Sequence, residues 1–518
     1  MSRESHWADV TGNWQLKPMD IWHDRAVFHF LTSQNGRLTV PLNSRRRDTK
    51  LVGSSHVIAR MVSRGGCMRI MAVVTLIGAG IGAAWGQNAP QPGESPVVGG
   101  VSIDSKSAAR LPLLTREDMR DDGSARIYDA LSGPNAEPPQ GAVGIALYSP
   151  ATAAGFGRIE RYLLTESALR GRLAALLTLV TAREMNLAYE WSVREGAARS
   201  SGLEAAVIEV IRSNGPVEGL SRADAVLIDF GRQLFRDRHG QSATFAALVD
   251  RLGRQGAFDA IMLLAYPAMA GVLERAVDQQ PPPGWSAARL PRIAGVGTPT
   301  GRPGEFVALP ERPPLPSDVH EDSYYRFPLL ARRDLDARSK ELFDRVVGPD
   351  RQTTPRGPVG MTFLSAELVE PVQDINNALR TNGVLGTRLA EIVIAATGRE
   401  MNSQYQWTVH GAAAAAAGAG QGVLDAIRGD GPVTALDERD AVAIEFTRQI
   451  FREERVRPET FARAVELFGV RGTVEMAALS GDYLMVTTVY NALGLRLRPD
   501  QAATLPHRAG APVGAEWR

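Results

Sequence analysis

The chain has 518 residues, a length that suits roughly three domains, and its 44% hydrophobic and 22% charged residues are the mix of a globular protein. A formal net charge of +1 provides no global field to draw nucleic acid or an acidic membrane surface. The single cysteine, Cys67, excludes an intrachain disulfide, a zinc knuckle and a Cys-x-x-Cys redox pair.

Residues 1–67 are polar, with scattered tryptophans, the basic run Arg45-Arg46-Arg47 and no periodic apolar pattern. They read as an unstructured extension or as an over-extended reading frame, with translation starting at Met61 or Met68. Met68-Arg69 is followed by the uncharged apolar run 70–84, then by Trp85 and Gly86 and a Pro/Gly-rich stretch. A basic start, a short apolar core and small residues at Ala84 and Gly86 predict a signal peptide over 68–86 and a periplasmic or secreted product, or a cytoplasmic one if the signal is not used. The run is shorter than a membrane span, so no stable span is expected in the mature form. Residues 87–109 read as a linker.

The rest is one unit written twice. Arg110-Leu111-Pro112 returns as Arg326-Phe327-Pro328, Gly141 and Gly144 return as Gly357 and Gly360, and Asp224-Ala225-Val226 returns as Asp440-Ala441-Val442. Arg232-Gln233 returns as Arg448-Gln449 and Thr244-Phe245-Ala246 as Thr460-Phe461-Ala462, always 216 residues later. This register predicts modules over 110–277 and 326–495, with a Pro/Gly-rich linker over 278–325 and a tail over 496–518. In the linker, Phe306-Val307-Ala308-Leu309 is the one candidate for a short docked strand.

Within each copy the apolar period is helical. Leu389, Ile392, Val393 and Ala396 form an i, i+3, i+4, i+7 face. Asn402 or Ser403 can cap a second helix running to Ala417. Further helices are predicted over 441–451 and 461–468, and a long apolar one over 476–493. The fold class is therefore all-α: two tandem helical bundles joined by a Pro-rich linker.

The most informative stretch is Arg399-Glu400-Met401-Asn402-Ser403-Gln404-Tyr405-Gln406-Trp407-Thr408-Val409-His410. The first copy keeps Arg183, Glu184, Asn186, Tyr189 and Trp191 but has Arg194 where the second has His410. On a helix, Gln406, Trp407 and His410 share a face. Glu400 is placed to fold back across the bend 398–403 towards His410, making a carboxylate–imidazole pair for proton transfer. Arg399 either neutralises an anionic substrate or points to solvent. Equally, the histidine can be structural, Glu400 and Glu184 can cap neighbouring helices, and Tyr405 and Trp407 can be core. Asp259 and Glu475, which also match, can complement a helix dipole. No glycine-rich phosphate loop, zinc spacing or nucleophile elbow appears, and no cofactor or metal is expected.

The pattern Glu-x-Asn-x-x-Tyr-x-Trp-x-x-His over residues 400–410 resembles the carboxymuconolactone decarboxylase-like family, with an alkylhydroperoxidase D-like fold. The Gly357-Pro358-Val359-Gly360 lead-in and the ending Val489-Tyr490-Asn491-Ala492-Leu493-Gly494 carry the same resemblance. It covers each copy and implies an all-helical module that assembles into trimers or hexamers. One branch of that family reduces peroxides with a Cys-x-x-Cys pair; matching on His410, the cysteine positions fall on Ser403 and Gln406, which cannot form a thiolate. The other branch decarboxylates a lactone acid by proton transfer. Carried over, that implies Glu400 and His410 as acid/base groups, with Tyr405, Trp407, Arg399 and Asn402 around a small organic acid or lactone. The first copy, with Arg194, departs from the pattern and reads as degenerate. The competing expectation is a non-catalytic assembly or binding protein of the same fold.

Overall fold

In the computed structural model, residues 102–517 are described, apart from 134–136, 282–289, 294–296 and 298–299. The expected signal peptide, Cys67 and both candidate start methionines lie outside the described residues.

Helices begin where side chains can satisfy the free amides of a first turn. Asp121 accepts from the Gly123 and Ser124 amides to start α1 (Asp122–Leu131). Short α2 (Gly141–Ala146) leads to α3 (Pro150–Arg161), α4 (Arg172–Glu184) and α5 (Ala188–Ser200). Then follow α6 (Ala205–Arg212), α7 (Arg222–Arg232), capped by Ser221, and α8 (Ser242–Ala276). The second copy runs through α9 (Ala337–Val346), α10 (Pro358–Thr362), α11 (Ala366–Asn376) and α12 (Thr387–Glu400). It continues with α13 (Gln404–Gln406), a π-helical turn Trp407–Gly411 and α14 (Ala412–Ala416). The last helices are α15 (Gln421–Arg428), α16 (Glu438–Arg452) and α17 (Pro458–Leu493). The protein is all-α, its described strand content being one two-residue pair.

Most helix boundaries recur 216 residues on, as with α6 and α15 or the starts of α8 and α17. Both long helices break at a glycine with left-handed φ, Gly253 (φ 70°, ψ 178°) and Gly469 (φ 70°, ψ 169°). Only glycine adopts that backbone region readily. The separate helices expected over 461–468 and 476–493 are thus the two arms of α17.

Beyond the kinks α8 and α17 are buried on nearly all sides and make the most extensive helix pair among the described residues. By length and composition α8 could cross a membrane, but 94% of its apolar window is buried inside the fold. The two backbones approach closely: a methyl group on Gly481 would sit 2.7 Å from the Met269 carbonyl oxygen. Contacts between the copies come in matched pairs. The Arg110 guanidinium lies 5.3 Å from the Phe461 ring centre, and Arg326 lies 4.8 Å from that of Phe245. Ser149 Oγ donates to Glu475 (2.9 Å), while Ser365 Oγ lies 3.0 Å from the Tyr162 hydroxyl, which donates to Asp259. Arg158 of α3 pairs with Asp374 of α11. Asp259 and Glu475, read from sequence as dipole-complementing residues, therefore tie one copy to the other.

The segment 496–517 is not a loose tail. Leu497, Leu505, Arg508 and Ala515 are fully or almost fully buried. Its strand β2 (His507–Arg508) pairs antiparallel with β1 (Phe306–Val307) of the linker. The candidate linker strand is present, held by the C-terminal segment.

Candidate functional site

Helix α12 is apolar at most positions and ends at Glu400; the chain then reverses through Asn402, whose φ of 52° is left-handed. The next helix is capped by Ser403, which accepts from the Gln406 amide. The C-terminal segment lies along this elbow. Gln404 exchanges hydrogen bonds with the Leu505 backbone (2.6 and 3.2 Å), and Trp407 Nε1 donates to Thr504 (3.1 Å). Tyr405 meets Tyr490 edge-on, with ring centres 5.1 Å apart.

The elbow separates the two residues expected to form an acid/base pair. Glu400 accepts from Arg452 (2.9 and 2.6 Å) and from Arg508 (3.0 and 2.9 Å). Asp430 completes a buried square, bonded to the same two arginines. Burial opposes the charge on Glu400, but Arg452 and Arg508 outweigh it and hold the carboxyl below its usual range. Asp430 is held low by Arg508 in the same way, against its burial. Arg399 is buried too, donating to the Arg428 and Pro506 carbonyls and to Asn402. Asn402 in turn meets His507 Nδ1 (2.6 Å). Arg399 and Asn402, expected around a substrate, and Glu400, expected as an acid/base group, thus bind protein groups that clamp the C-terminal segment to the bundle.

His410 finds a different carboxylate. It lies on the π-helical turn, and its Nδ1 is 2.8 Å from Oε2 of Glu391, which is 19 residues earlier on α12. Oε1 of Glu391 accepts from Arg380. The imidazole stands edge-on to Tyr483, with ring centres 4.8 Å apart. Burial pushes the histidine pKa down, against the pull of Glu391. For Glu391, burial is outweighed by His410 and Arg380, and its pKa falls to about 2. An ionised Glu391 beside a neutral imidazole selects the tautomer with the proton on Nδ1 and the lone pair on Nε2. Gln406 shares that face, as the spacing predicted, donating to Tyr483 O and Thr487 on α17.

Next to this group sits Asp482, buried beside Asn376 and Arg380. Burial pushes its pKa up to about 7, with Asn376 and Arg380 offsetting only part of the effect. The cluster is therefore Arg380, Glu391, His410, Asp482 and Tyr483, drawn from four segments of the second copy.

Of these, sequence reasoning found only His410. A signal for the others was present in the repeat: Arg380, Glu391, His410 and Asp482 align with Leu164, Ala175, Arg194 and Tyr266, so all four are replaced together in the first copy. Arg508 has a similar trace. Leu505-Pro506-His507-Arg508-Ala509-Gly510 matches Leu290-Pro291-Arg292-Ile293-Ala294-Gly295, one residue out of the main register. Asp430 and Arg508 thus become Asn214 and Ile293, a charge pair removed as a pair. In the first copy Arg236 holds Glu184 bidentately (2.6 and 2.5 Å), with Arg232 at 3.9 Å.

Among the described residues, surface clefts of about 540–640 Å³ lie at α1, between α1, α2 and α3, and beside α9 and α11, and neither His410 nor Glu400 lines these. Among the described residues no group of three or more His, Cys, Asp or Glu is arranged to hold a metal ion.

Compared with protein-family models and with curated proteins, the chain finds no match.

Proposed function

We propose that the second copy performs proton transfer on a small organic acid or lactone, ending in decarboxylation, with His410 as the base. The observation that carries this reading is the 2.8 Å contact between His410 Nδ1 and the buried, ionised Glu391. In the proposed cycle the neutral imidazole removes the proton of the substrate's carboxyl group. The bond to the departing carboxylate breaks, its electron pair stays on the substrate carbon, and CO2 leaves. The imidazolium then returns a proton to that carbon. Glu391, anchored by Arg380, positions the ring and stabilises the imidazolium. Asp482, with a pKa near neutrality, is a second proton reservoir beside Arg380. The reading keeps the resemblance to the carboxymuconolactone decarboxylase-like family, each copy being an alkylhydroperoxidase D-like module, and moves the carboxylate partner from Glu400 to Glu391. Export and assembly into a homo-oligomer belong to the same proposal and rest on the sequence alone.

The test is incubation of the protein in D2O with a panel of lactones and small carboxylic acids, following CO2 release and deuterium incorporation by NMR. Turnover that is lost in His410→Ala, with an unchanged melting temperature, supports the reading. Turnover unaffected by that substitution sinks it.

A second reading, a catalytically silent assembly protein, is favoured by the burial of His410, 2% exposed and edge-on to Tyr483. It predicts that His410→Ala lowers the melting temperature and that no member of the panel turns over.

A further inference from the structure

The first copy, which lacks the histidine, has a different ionisable group in its place, and this one reaches a cleft. Arg194 of α5 donates to Glu190 and to Glu160 of α3, the latter at 3.3 Å. Glu274 of α8 is 4% exposed and meets the Glu190 carboxyl, while its Oε1 has no hydrogen-bond partner. Tyr266, also on α8, hydrogen-bonds to Glu160. Three carboxyl groups thus face one guanidinium, an arrangement that retains a proton because adjacent carboxylates cannot all ionise in a buried site. Burial and the neighbouring Glu190 both raise the Glu274 carboxyl well above its ordinary value. Burial also raises Glu160, against the pull of Arg194.

Glu160 is the outward end of this group. Its side chain is 33% exposed and lines a cleft of about 640 Å³ between α1, α2 and α3. The cleft has an apolar wall of Ile127, Leu131 and Val143 and a cationic rim of Arg126 and Arg161. Arg161 pairs with the exposed Glu166 at 3.1 Å, a pair that solvent weakens. Arg158, also at the cleft, is tied to Asp374. An apolar wall, arginines at the mouth and one protonatable carboxyl inside suit an amphipathic anion. A cationic amine would face the two arginines.

We infer that this cleft binds a small amphipathic carboxylate, whose charge is met by Arg126 and Arg161 and whose carboxylate accepts a hydrogen bond from protonated Glu160. The groups facing Glu160 are Arg194 and Glu190 from α5 and Tyr266 and Glu274 from α8, while Arg126 of α1 lines the same cleft. Binding an anion beside Glu160 favours the protonated carboxyl, so ligand and proton bind together.

The test is calorimetric titration of the full chain with octanoate, with octylamine and hexanol as controls, in buffers of different ionisation enthalpy from pH 5 to 8. Octanoate is expected to bind saturably with proton uptake, its affinity falling by up to about tenfold per pH unit on the alkaline side. The exposed substitutions Arg126→Ala with Arg161→Ala are expected to weaken binding at least tenfold, and Glu160→Gln to keep binding but abolish its pH dependence. His410→Ala is expected to change neither, which separates this site from the one in the second copy. Preference for octylamine, no octanoate binding, or pH dependence that survives in Glu160→Gln would overturn the inference.

Discussion

Arg508, on the last strand of the chain, places both Nη atoms on the Glu400 carboxylate at 3.0 and 2.9 Å, although 108 residues separate them in sequence. The pair is completely buried and shares Asp430 and Arg452. Removing one guanidinium from such a group leaves carboxylates without charge compensation in a medium that solvates them poorly. Arg508→Ala is expected to cost about 3–5 kcal/mol of stability, measured by urea denaturation. The double substitution Asp430→Asn with Arg508→Ile, which installs the first copy's own residues, should cost less than half as much. An equal or larger loss in the double variant would mean that the first copy's pairing does not transfer.

The same square sets an acid sensitivity. Glu400 and Asp430 have folded-state pKa values below their unfolded ones. Their contribution is therefore present above about pH 4.3, the ordinary glutamate value, and is lost as pH falls through the depressed folded values. Acid titration followed by circular dichroism should place the unfolding midpoint of wild type at a higher pH than that of Glu400→Gln when both are compared at equal neutral-pH stability. No difference in acid slope between them would show that the square does not titrate on unfolding.

Asp482 works in the opposite direction. Its folded pKa, about 7, lies above the unfolded value. Relative to a neutral side chain, its contribution is retained below about pH 3.9 and is lost progressively as pH rises to about 7. Asp482→Asn should therefore be nearly neutral at pH 4 and stabilising at pH 8, by on the order of 4 kcal/mol. Thermal melts across that range will show the gain growing and then levelling off. A constant difference between variant and wild type would mean that Asp482 does not titrate on unfolding.

For the proposed chemistry, the base must be neutral imidazole. The lowered pKa of His410 predicts a rate that is flat through neutral pH and falls only below about 6.5, the ordinary histidine value. Glu391→Gln removes the carboxylate that raises the histidine pKa, so the acid limb should move to still lower pH while kcat falls about 10²-fold or more. A rate profile with its midpoint above the ordinary histidine value would contradict the assignment.

The kinks in the two long helices offer a test of backbone strain alone. A Cβ on Gly253 or Gly469 meets no atom within 4 Å, so alanine costs only the unfavourable φ. Each single substitution should destabilise by about 1–3 kcal/mol, read from denaturant midpoints at unchanged m-value.

The sequence alone determined the helical class, because the apolar period of α12 and its relatives is a local property of the chain. It also determined the repeat and the shared face of Gln406 and His410. The repeat held a further trace of the site, since Arg380, Glu391, His410 and Asp482 differ together between the copies. What spacing could not decide was which carboxylate meets the imidazole. Glu400 is ten residues from His410 and Glu391 is nineteen, yet the reversal at Asn402 turns Glu400 towards Arg452 and brings the middle of α12 against the π-helical turn. Nor could it show that the C-terminal segment supplies Arg508, or that the copies meet through matched residues such as Arg110 and Arg326. Those pairings depend on how segments far apart in sequence share one buried volume, where each charge must find a partner, and only the tertiary structure decides that.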